Sequence, residues 1–526
     1  MVHDEHLRQP DEDAGLSRKG TLMARMALAT LASRVAGFLR VLVLTAALGL
    51  GTRLLDAYNV ANTLPNAVYE LLVGGAMASV VVPLLARAAL TDPDHGVLYT
   101  QRLLSLMVYG LSAITLLAMA LAPLLVGLVA PGFTAGQHEL AVVFSRYFLP
   151  QILFYGVSAT AGAVLNIRGR FAVAAWAPLC NSLVVIAVGL LYVSSRSFTL
   201  LAIGTTAGVF AQMALVVAAL SRSGFPIRLH LDPRGIAIRR IAGLAGWVLL
   251  SVLGAQAFLL AATRVASLSG PGGVTAYQNA LAVFQVPFAV IALTVMTTML
   301  PRLSRSAARR DHDRIVRDLS LAVRVAVAVM APIAVALLLL GRPIAAVLFD
   351  HGSSAPATVR LLGTVLAAFG LALVPFSAYS ILQRGFYATQ DTRTPALITA
   401  GVAVTGIVGC VVAGRLLPPA SIVVGVPVAY AVAYTLGLAV TVLVLRRRFG
   451  WIDGRRLMRT HVRVFLAASA GAVVAGGATV LTGSAMPLLT VAAAAGVGAL
   501  AYLAAAKLLH IGELRLLLAT ALAGFR

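Results

Sequence analysis

Apolar stretches long enough to cross a bilayer recur from one end of this 526-residue chain to the other, separated by short polar connections. A hydrocarbon core about 30 Å thick needs about 20 apolar residues in a helix. Fourteen windows meet that demand: 26–50, 67–86, 103–129, 140–166, 171–193, 199–220, 241–267, 274–300, 325–349, 359–382, 396–412, 422–445, 464–481 and 486–508. The runs are continuous rather than alternating, so they predict helices, which satisfy every backbone polar group within one segment. Leu64-Pro65-Asn66 reads as a break inside the second segment, which is entered near Asp56. The pattern predicts an all-α polytopic membrane protein with about fourteen spans.

The polar connections alternate in charge. Arg18, Lys19 and Arg25 precede the first span, Arg168 and Arg170 follow the fourth, and Arg222, Arg228, Arg234, Arg239 and Arg240 follow the sixth. Arg302, Arg305, Arg309, Arg310, Arg314 and Arg317 follow the eighth, and Arg446, Arg447, Arg448, Arg455, Arg456 and Arg459 the twelfth. The intervening connections, such as 269–273 and 482–485, are nearly bare. The positive-inside rule then puts both termini in the cytoplasm. Residues 1–22, acidic and without an apolar run, read as a disordered cytosolic tail rather than a cleavable signal.

Composition agrees with that picture. Hydrophobic residues make up 60% of the chain and charged ones 11%, with a mean hydropathy of +0.94, leaving no room for a soluble catalytic domain. The net charge of +23 is accounted for by topology and by contact with anionic membrane lipids; no nucleic-acid module is visible. No Walker loop is present, and no histidine pair stands at metal-ligand spacing. Cys180 and Cys410 lie inside apolar windows as small packing residues. The reading calls for no cofactor and no metal.

Chemistry is concentrated where charge enters the spans. Arg34 and Arg40 lie within the first, six residues apart, hence about 9 Å along a helix and offset by about 120°. An arginine deep in a bilayer costs several kcal/mol unless it faces a watery cavity or a partner. Its planar fork suits phosphate, so the pair points to an anionic, phosphate-bearing cargo. Asp56 and Glu70 are candidate partners or gates, and Arg264 a third cation near the end of the seventh span. Asn62, beside the expected break, could satisfy freed backbone groups. Gly37, Gly74, Gly75 and Gly110 would allow close packing or bending.

The halves of the chain are related. Leu165-Asn166 leads to Pro178 as Leu382-Gln383 leads to Pro395, an offset of 217 (395 − 178). Val82-Pro83 matches Leu300-Pro301 at an offset of 218 (301 − 83). Two matches at nearly one offset indicate a duplicated six-helix lobe, with a cargo site between two bundles of the same orientation. The expected divisions are a tail at 1–22, lobes at 23–222 and 223–448, and a linker with two extra helices at 449–526.

The run Ser33-Arg34-Val35-Ala36-Gly37-Phe38-Leu39-Arg40, with Asp56-Ala57, Leu64-Pro65-Asn66, Gly74-Gly75-Ala76 and Val82-Pro83 after it, resembles the opening of the MurJ (MviN) lipid II flippases. Gly169-Arg170-Phe171, Val286-Pro287 and the stretch from Tyr387 to Pro395 extend the likeness, which spans about residues 24–510. The resemblance implies the fold of the multidrug/oligosaccharidyl-lipid/polysaccharide exporter superfamily: two six-helix lobes around a central cavity, with two C-terminal helices forming a groove for a lipid tail. It implies transfer of the undecaprenyl-pyrophosphate-linked peptidoglycan precursor, lipid II, from the inner to the outer leaflet of the bacterial cytoplasmic membrane. Wall-synthesis proteins are possible further partners. The family arginines fall on Arg34 and Arg40 and its second-helix aspartate on Asp56. Charged family positions fall instead on Val41, Tyr69, Ala282 and Gln285, which gives Arg264 the place of a substitute charge.

Other classes remain open on sequence alone. A flippase for another polyprenyl-linked saccharide or a drug exporter of the same superfamily shares the architecture, and a wall-synthesis scaffold needs no cavity. A polyprenyl-dependent glycosyltransferase would need carboxylates in a large outer loop, and the outer connections are short and almost without them.

Overall fold

The computed structural model describes residues 10–72, 81–230, 238–450, 453–482 and 486–513. Gly74, Gly75, Arg234, residues 483–485 of the last bare connection and residues 1–9 lie outside them. The described chain is helical, in the order α1 (Pro10–Leu48), α2 (Arg53–Glu70), α3 (Val82–Thr91), α4 (Val97–Ala120), α5 (Ala122–Val129), α6 (Ala135–Phe148), α7 (Gln151–Ile167), α8 (Phe171–Ser195), α9 (Phe198–Arg222) and α10 (Ile238–Ala266). It continues with α11 (Gly273–Pro287), α12 (Leu293–Ala308), α13 (His312–Phe349), α14 (Pro356–Ala388), α15 (Arg393–Leu416), α16 (Pro419–Phe449), α17 (Gly454–Thr482) and α18 (Pro487–Leu508). Among the described residues, thirteen helices are long and apolar enough to cross a membrane. The fourteenth expected span falls on α2 and α3, with residues 73–80 between them undescribed.

Prolines shape the details. Pro287 is followed by a π-turn at Phe288–Ala292, so one expected span is α11 and α12 in series. Leu149-Pro150 separates α6 from α7 in the same way. Pro65, expected to break the second segment, lies inside a continuous α2. The expected disordered tail is also corrected: α1 starts at Pro10 and carries residues 10–22 into the first span.

Contacts divide the chain into two compact units. The first comprises the described residues within Met1–Ala47, Val68–Ala120 and Arg146–Leu244, the second those within Leu48–Ala67, Leu121–Ser145 and Ala245–Arg526. This differs from the expected lobes, since α2 up to Ala67, α5 and most of α6 pack into the second unit, as do α17 and α18. Hydrogen bonds explain the regrouping. The Leu50 carbonyl accepts from the Ala355 amide at 2.8 Å, and the Gly132 amide donates to Ser267 Oγ at 3.2 Å.

In the first unit, Leu103, Leu104, Val164, Leu165, Val216 and Leu220 form a buried cluster joining α4, α7 and α9. Gly37 and Gly110 face open space, so no neighbour there requires a glycine. In the second unit the core is aromatic: Phe284 of α11 lies 4.9 Å from Phe369 and 5.6 Å from Phe376 of α14, and 5.8 Å from Tyr430 of α16. Helices α13 and α14 approach through paired glycines. A Cβ on Gly341 would stand 2.5 Å from the Gly363 carbonyl oxygen, and one on Gly363 would stand 2.5 Å from Arg342 Cα. Close helix packing of this kind is what holds bundles together where lipid removes the hydrophobic drive.

Candidate functional site

The second unit contains a hydrogen-bonded junction centred on Asp56. This residue lies in the first turn of α2 and is fully buried. One carboxylate oxygen accepts from the Gly272 amide at 2.6 Å, while the other accepts from the Thr275 amide at 3.0 Å and its hydroxyl at 2.6 Å. Gly272 and Thr275 stand at the N-terminus of α11, where backbone amides have no helical acceptor and the dipole favours negative charge. Asp56 thus caps a helix more than two hundred residues away.

The contact continues as a ladder along α2. Asn59 donates to Thr275 Oγ1 at 3.0 Å, and Gln278 donates to Thr63 Oγ1 at 3.0 Å. Asp56, Asn59 and Thr63 are spaced three and four apart, so they share one face of the helix. Thr275 is the hub, giving its proton to Asp56 and accepting one from Asn59. Backbone approach tightens the joint: Gly272 has φ +85°, and a Cβ there would meet Thr358 Cγ2 at 2.6 Å and Gly51 Cα at 2.9 Å. The end of α1 and the starts of α11 and α14 therefore meet within van der Waals distance.

The expected pairing of Asp56 with an arginine does not occur; backbone amides and a threonine take its place. Arg264, in the last turn of α10, is exposed and donates to the Leu128 carbonyl at the end of α5, so its charge caps a helix C-terminus. Asn62 is half-buried on α2 and takes no part in the ladder. Arg34 and Arg40 are carried on α1 in the first unit, Arg34 exposed and Arg40 half-buried. The Arg40 guanidinium lies within electrostatic reach of Tyr155, whose ring centroid is 4.5 Å from that of Tyr69, the two planes tilted by 41°. Glu70 is exposed at the end of α2. The predicted residues thus separate into a saturated junction, Asp56, and available cations, Arg34 and Arg40.

Sequence reasoning passed over Gly272, Thr275, Asn59 and Thr63. The signal available was the polar stripe Asp56, Asn59, Thr63 at helical spacing in an apolar segment; its partner could not be read locally.

Two further features lie along α13, α17 and α18. An apolar groove of about 380 Å³, lined by Ala328, Pro332, Ala336, Leu340, Gly471 and Tyr502 among others, matches the expected position of a lipid-tail groove. Beside it, a polar cavity of about 360 Å³ holds Arg456, Arg459 and Arg463. There Arg324 pairs with Glu513 at 2.7 Å, and Glu513 accepts from Thr460 at 3.2 Å.

Comparison with known proteins adds an independent line. The family model described as lipid II flippase MurJ matches residues 44–493. The probable lipid II flippase MurJ of Rhizobium meliloti is 32% identical over 393 residues, covering 72% of this chain and 71% of the relative. Among solved structures, a lipid II flippase MurJ in an inward closed conformation superposes with a TM-score of 0.79 at 19% identity, covering 92% of this chain and 98% of that one. An inward-facing multidrug resistance MATE family transporter of the MOP superfamily gives 0.69 at 15% identity, over 79% and 94%. The structural likenesses establish the fold, and the match over residues 44–493 reaches the residues of the junction.

Proposed function

The chain belongs to the lipid II flippase MurJ family, and from that membership we propose how its residues move lipid II. It is a multi-pass membrane transporter rather than an enzyme, and the observation that carries the function is the family match over residues 44–493. The cargo is carried from the inner to the outer leaflet by alternating access. The charge pattern supports an orientation with the bare connections outside and both termini in the cytoplasm. On that orientation the Asp56 junction, which gathers the connections after α1, α10 and α13, is an outer latch, closed in this state.

The latch suits a transporter because it breaks cleanly. Its carboxylate is satisfied by amides that water can replace, and neither α2 nor α11 must unwind when it opens. Among the described residues Arg34 and Arg40 have no such saturating partners, and they are the groups for the cargo diphosphate. The membrane potential supplies drive: moving an anion outward across an inside-negative membrane releases about 2.3 kcal/mol per charge per 100 mV, so a doubly charged diphosphate gains roughly 4 to 5 kcal/mol. Arg264, spent on the Leu128 carbonyl, supports the closed end rather than the cargo. Anionic lipids at the basic connections and wall-synthesis partners complete the proposed surroundings.

The test is replacement. Cells depleted of their own lipid II flippase and carrying this gene should survive and display precursor in the outer leaflet, whereas the Arg34→Ala variant, inserted at equal level, should not rescue them. Inserted wild-type protein without rescue would overturn the assignment, and full rescue by Arg34→Ala would remove the arginine from the cargo path.

A further inference from the structure

A cavity of about 260 Å³ within the first unit is accounted for by neither the latch nor the α1 arginines. It is walled by one face of α7, with Ser158, Gly162 and Asn166, by α8 around Ala174 and Pro178, by Gln212 of α9 and by Tyr69. Ser158 and Gln212 are 7% and 6% exposed, yet neither makes a hydrogen bond among the described residues. Buried polar groups are almost always satisfied, so these call for a bound molecule or water. Pro178, inside α8, has no amide to give to the Ala174 carbonyl, which leaves an acceptor at the cavity wall.

Among the described residues, the lining carries no charged side chain. It offers two carboxamides, a hydroxyl, a phenol and a freed carbonyl, and carboxamides donate and accept at once. Such a set is wrong for a diphosphate, which needs cations, and wrong for a hydrocarbon tail, which would strand the amides. It is complementary to a ring bearing hydroxyl and acetamido groups. The volume lies just below the usual range for small-molecule sites, about 300 to 1,000 Å³, and admits a single ring rather than the whole headgroup.

We propose that this cavity is a subsite for one N-acetylated amino-sugar ring of the cargo, read by Gln212, Ser158 and Asn166. The proposal rests on lipid II being the cargo. It makes the first unit the part that distinguishes a saccharide-bearing diphosphate from the bare lipid diphosphate.

Binding of two probes to the purified full chain tests it: undecaprenyl diphosphate carrying the disaccharide-pentapeptide, and undecaprenyl diphosphate alone. Gln212→Leu keeps the volume and removes the amide. It should weaken the saccharide-bearing probe about tenfold, the effect of leaving a polar group unpaired, and leave the bare diphosphate unchanged. Gly162→Leu should act similarly by filling the cavity, since a Cβ there meets only Ala174 Cβ, at 3.6 Å. Thermal unfolding checks that each variant is folded, and Ser158→Ala serves if either is not. Equal weakening of both probes, or of neither, would overturn the subsite and leave the cavity to water. Wild-type protein that binds neither probe would instead overturn the lipid II reading on which the subsite rests.

Discussion

Helices α15 and α11 of the second unit each begin under an aspartate, and the two caps do opposite jobs. At the start of α15, Asp391 accepts from the Thr394 amide at 3.0 Å and its hydroxyl at 2.7 Å, three residues along the chain, and pairs with Arg448. At the start of α11, Asp56 makes the same kinds of bond to Gly272 and Thr275, across 216 and 219 residues. A local cap fixes where its helix starts and is remade whenever that helix forms. A remote cap orders no helix of its own; it joins segments that the chain does not join, and it can open while both remain helical. Sequence distance, more than chemistry, makes one an element of stability and the other a latch.

The largest effect should come from removing the remote cap. Asp56→Ala deletes three charge-assisted hydrogen bonds in a fully buried setting, each worth about 1.5–3 kcal/mol. Flipping in proteoliposomes should fall about a hundredfold or more, and a single cysteine at exposed His351, with Cys180 and Cys410 replaced by serine, should label faster from outside. Asp56→Asn, which keeps one acceptor but turns an NH₂ group toward amide donors, should be intermediate. Unchanged flipping and labelling in the alanine variant would reduce Asp56 to a packing residue. A cysteine at Gly272 is a poorer reporter, because its φ of +85° and its contact with Thr358 would strain any side chain.

Much of the helical architecture was legible because apolar runs of bilayer length have few other solutions. The misread parts show where that logic stops. Pro65 suggested a break and produced none, since neighbouring groups in a bundle can tolerate a proline within a helix. The expected lobe boundary followed the repeat offset, whereas Leu48–Ala67 joins the second unit through hydrogen bonds to residues far along the chain. For the same reason Asp56 was legible as a buried charge needing a partner, while the partner was taken for an arginine. Backbone amides leave no mark in a sequence. The cavity at Ser158 and Gln212 was invisible for a further reason: its lining is gathered from five helices, and none carries a polar stripe that announces it.

A sharper test of the comparison lies at the hub. Thr275→Val removes one bond to Asp56 and leaves the Asn59 amide without its acceptor, but keeps the Thr275 backbone donor. The expected loss is about 1 to 2 kcal/mol, or roughly five- to thirtyfold in flipping, with labelling at His351 shifted the same way as in Asp56→Ala but less. In the double variant the effects should fall well short of additive, because both changes open one junction. Full additivity would mean that Thr275 and Asp56 act on different steps.

The smallest effect belongs to the local cap, and its pH dependence separates it from the latch. Partial burial pushes the Asp391 carboxyl up, but the Thr394 amide and hydroxyl and the Arg448 guanidinium outweigh it and hold the group below the ordinary 3.8. A carboxyl depressed in the folded state contributes its stability above its unfolded value and loses it as pH falls through the folded one. Asp391→Asn keeps the capping acceptor and discards the charge. At neutral pH it should lower the thermal midpoint by no more than about 2 °C, since the pair with Arg448 is partly exposed and solvent-screened. The gap to wild type should close as the medium is acidified through the carboxylate range below 3.8. Flipping at neutral pH should be unchanged, because this cap fixes the start of α15 and its one tie to another helix, the pair with Arg448 of α16, is partly exposed. A transport defect in Asp391→Asn comparable to that of Asp56→Asn would erase the distinction between local and remote caps, and with it the claim that the junction at α11 is what opens.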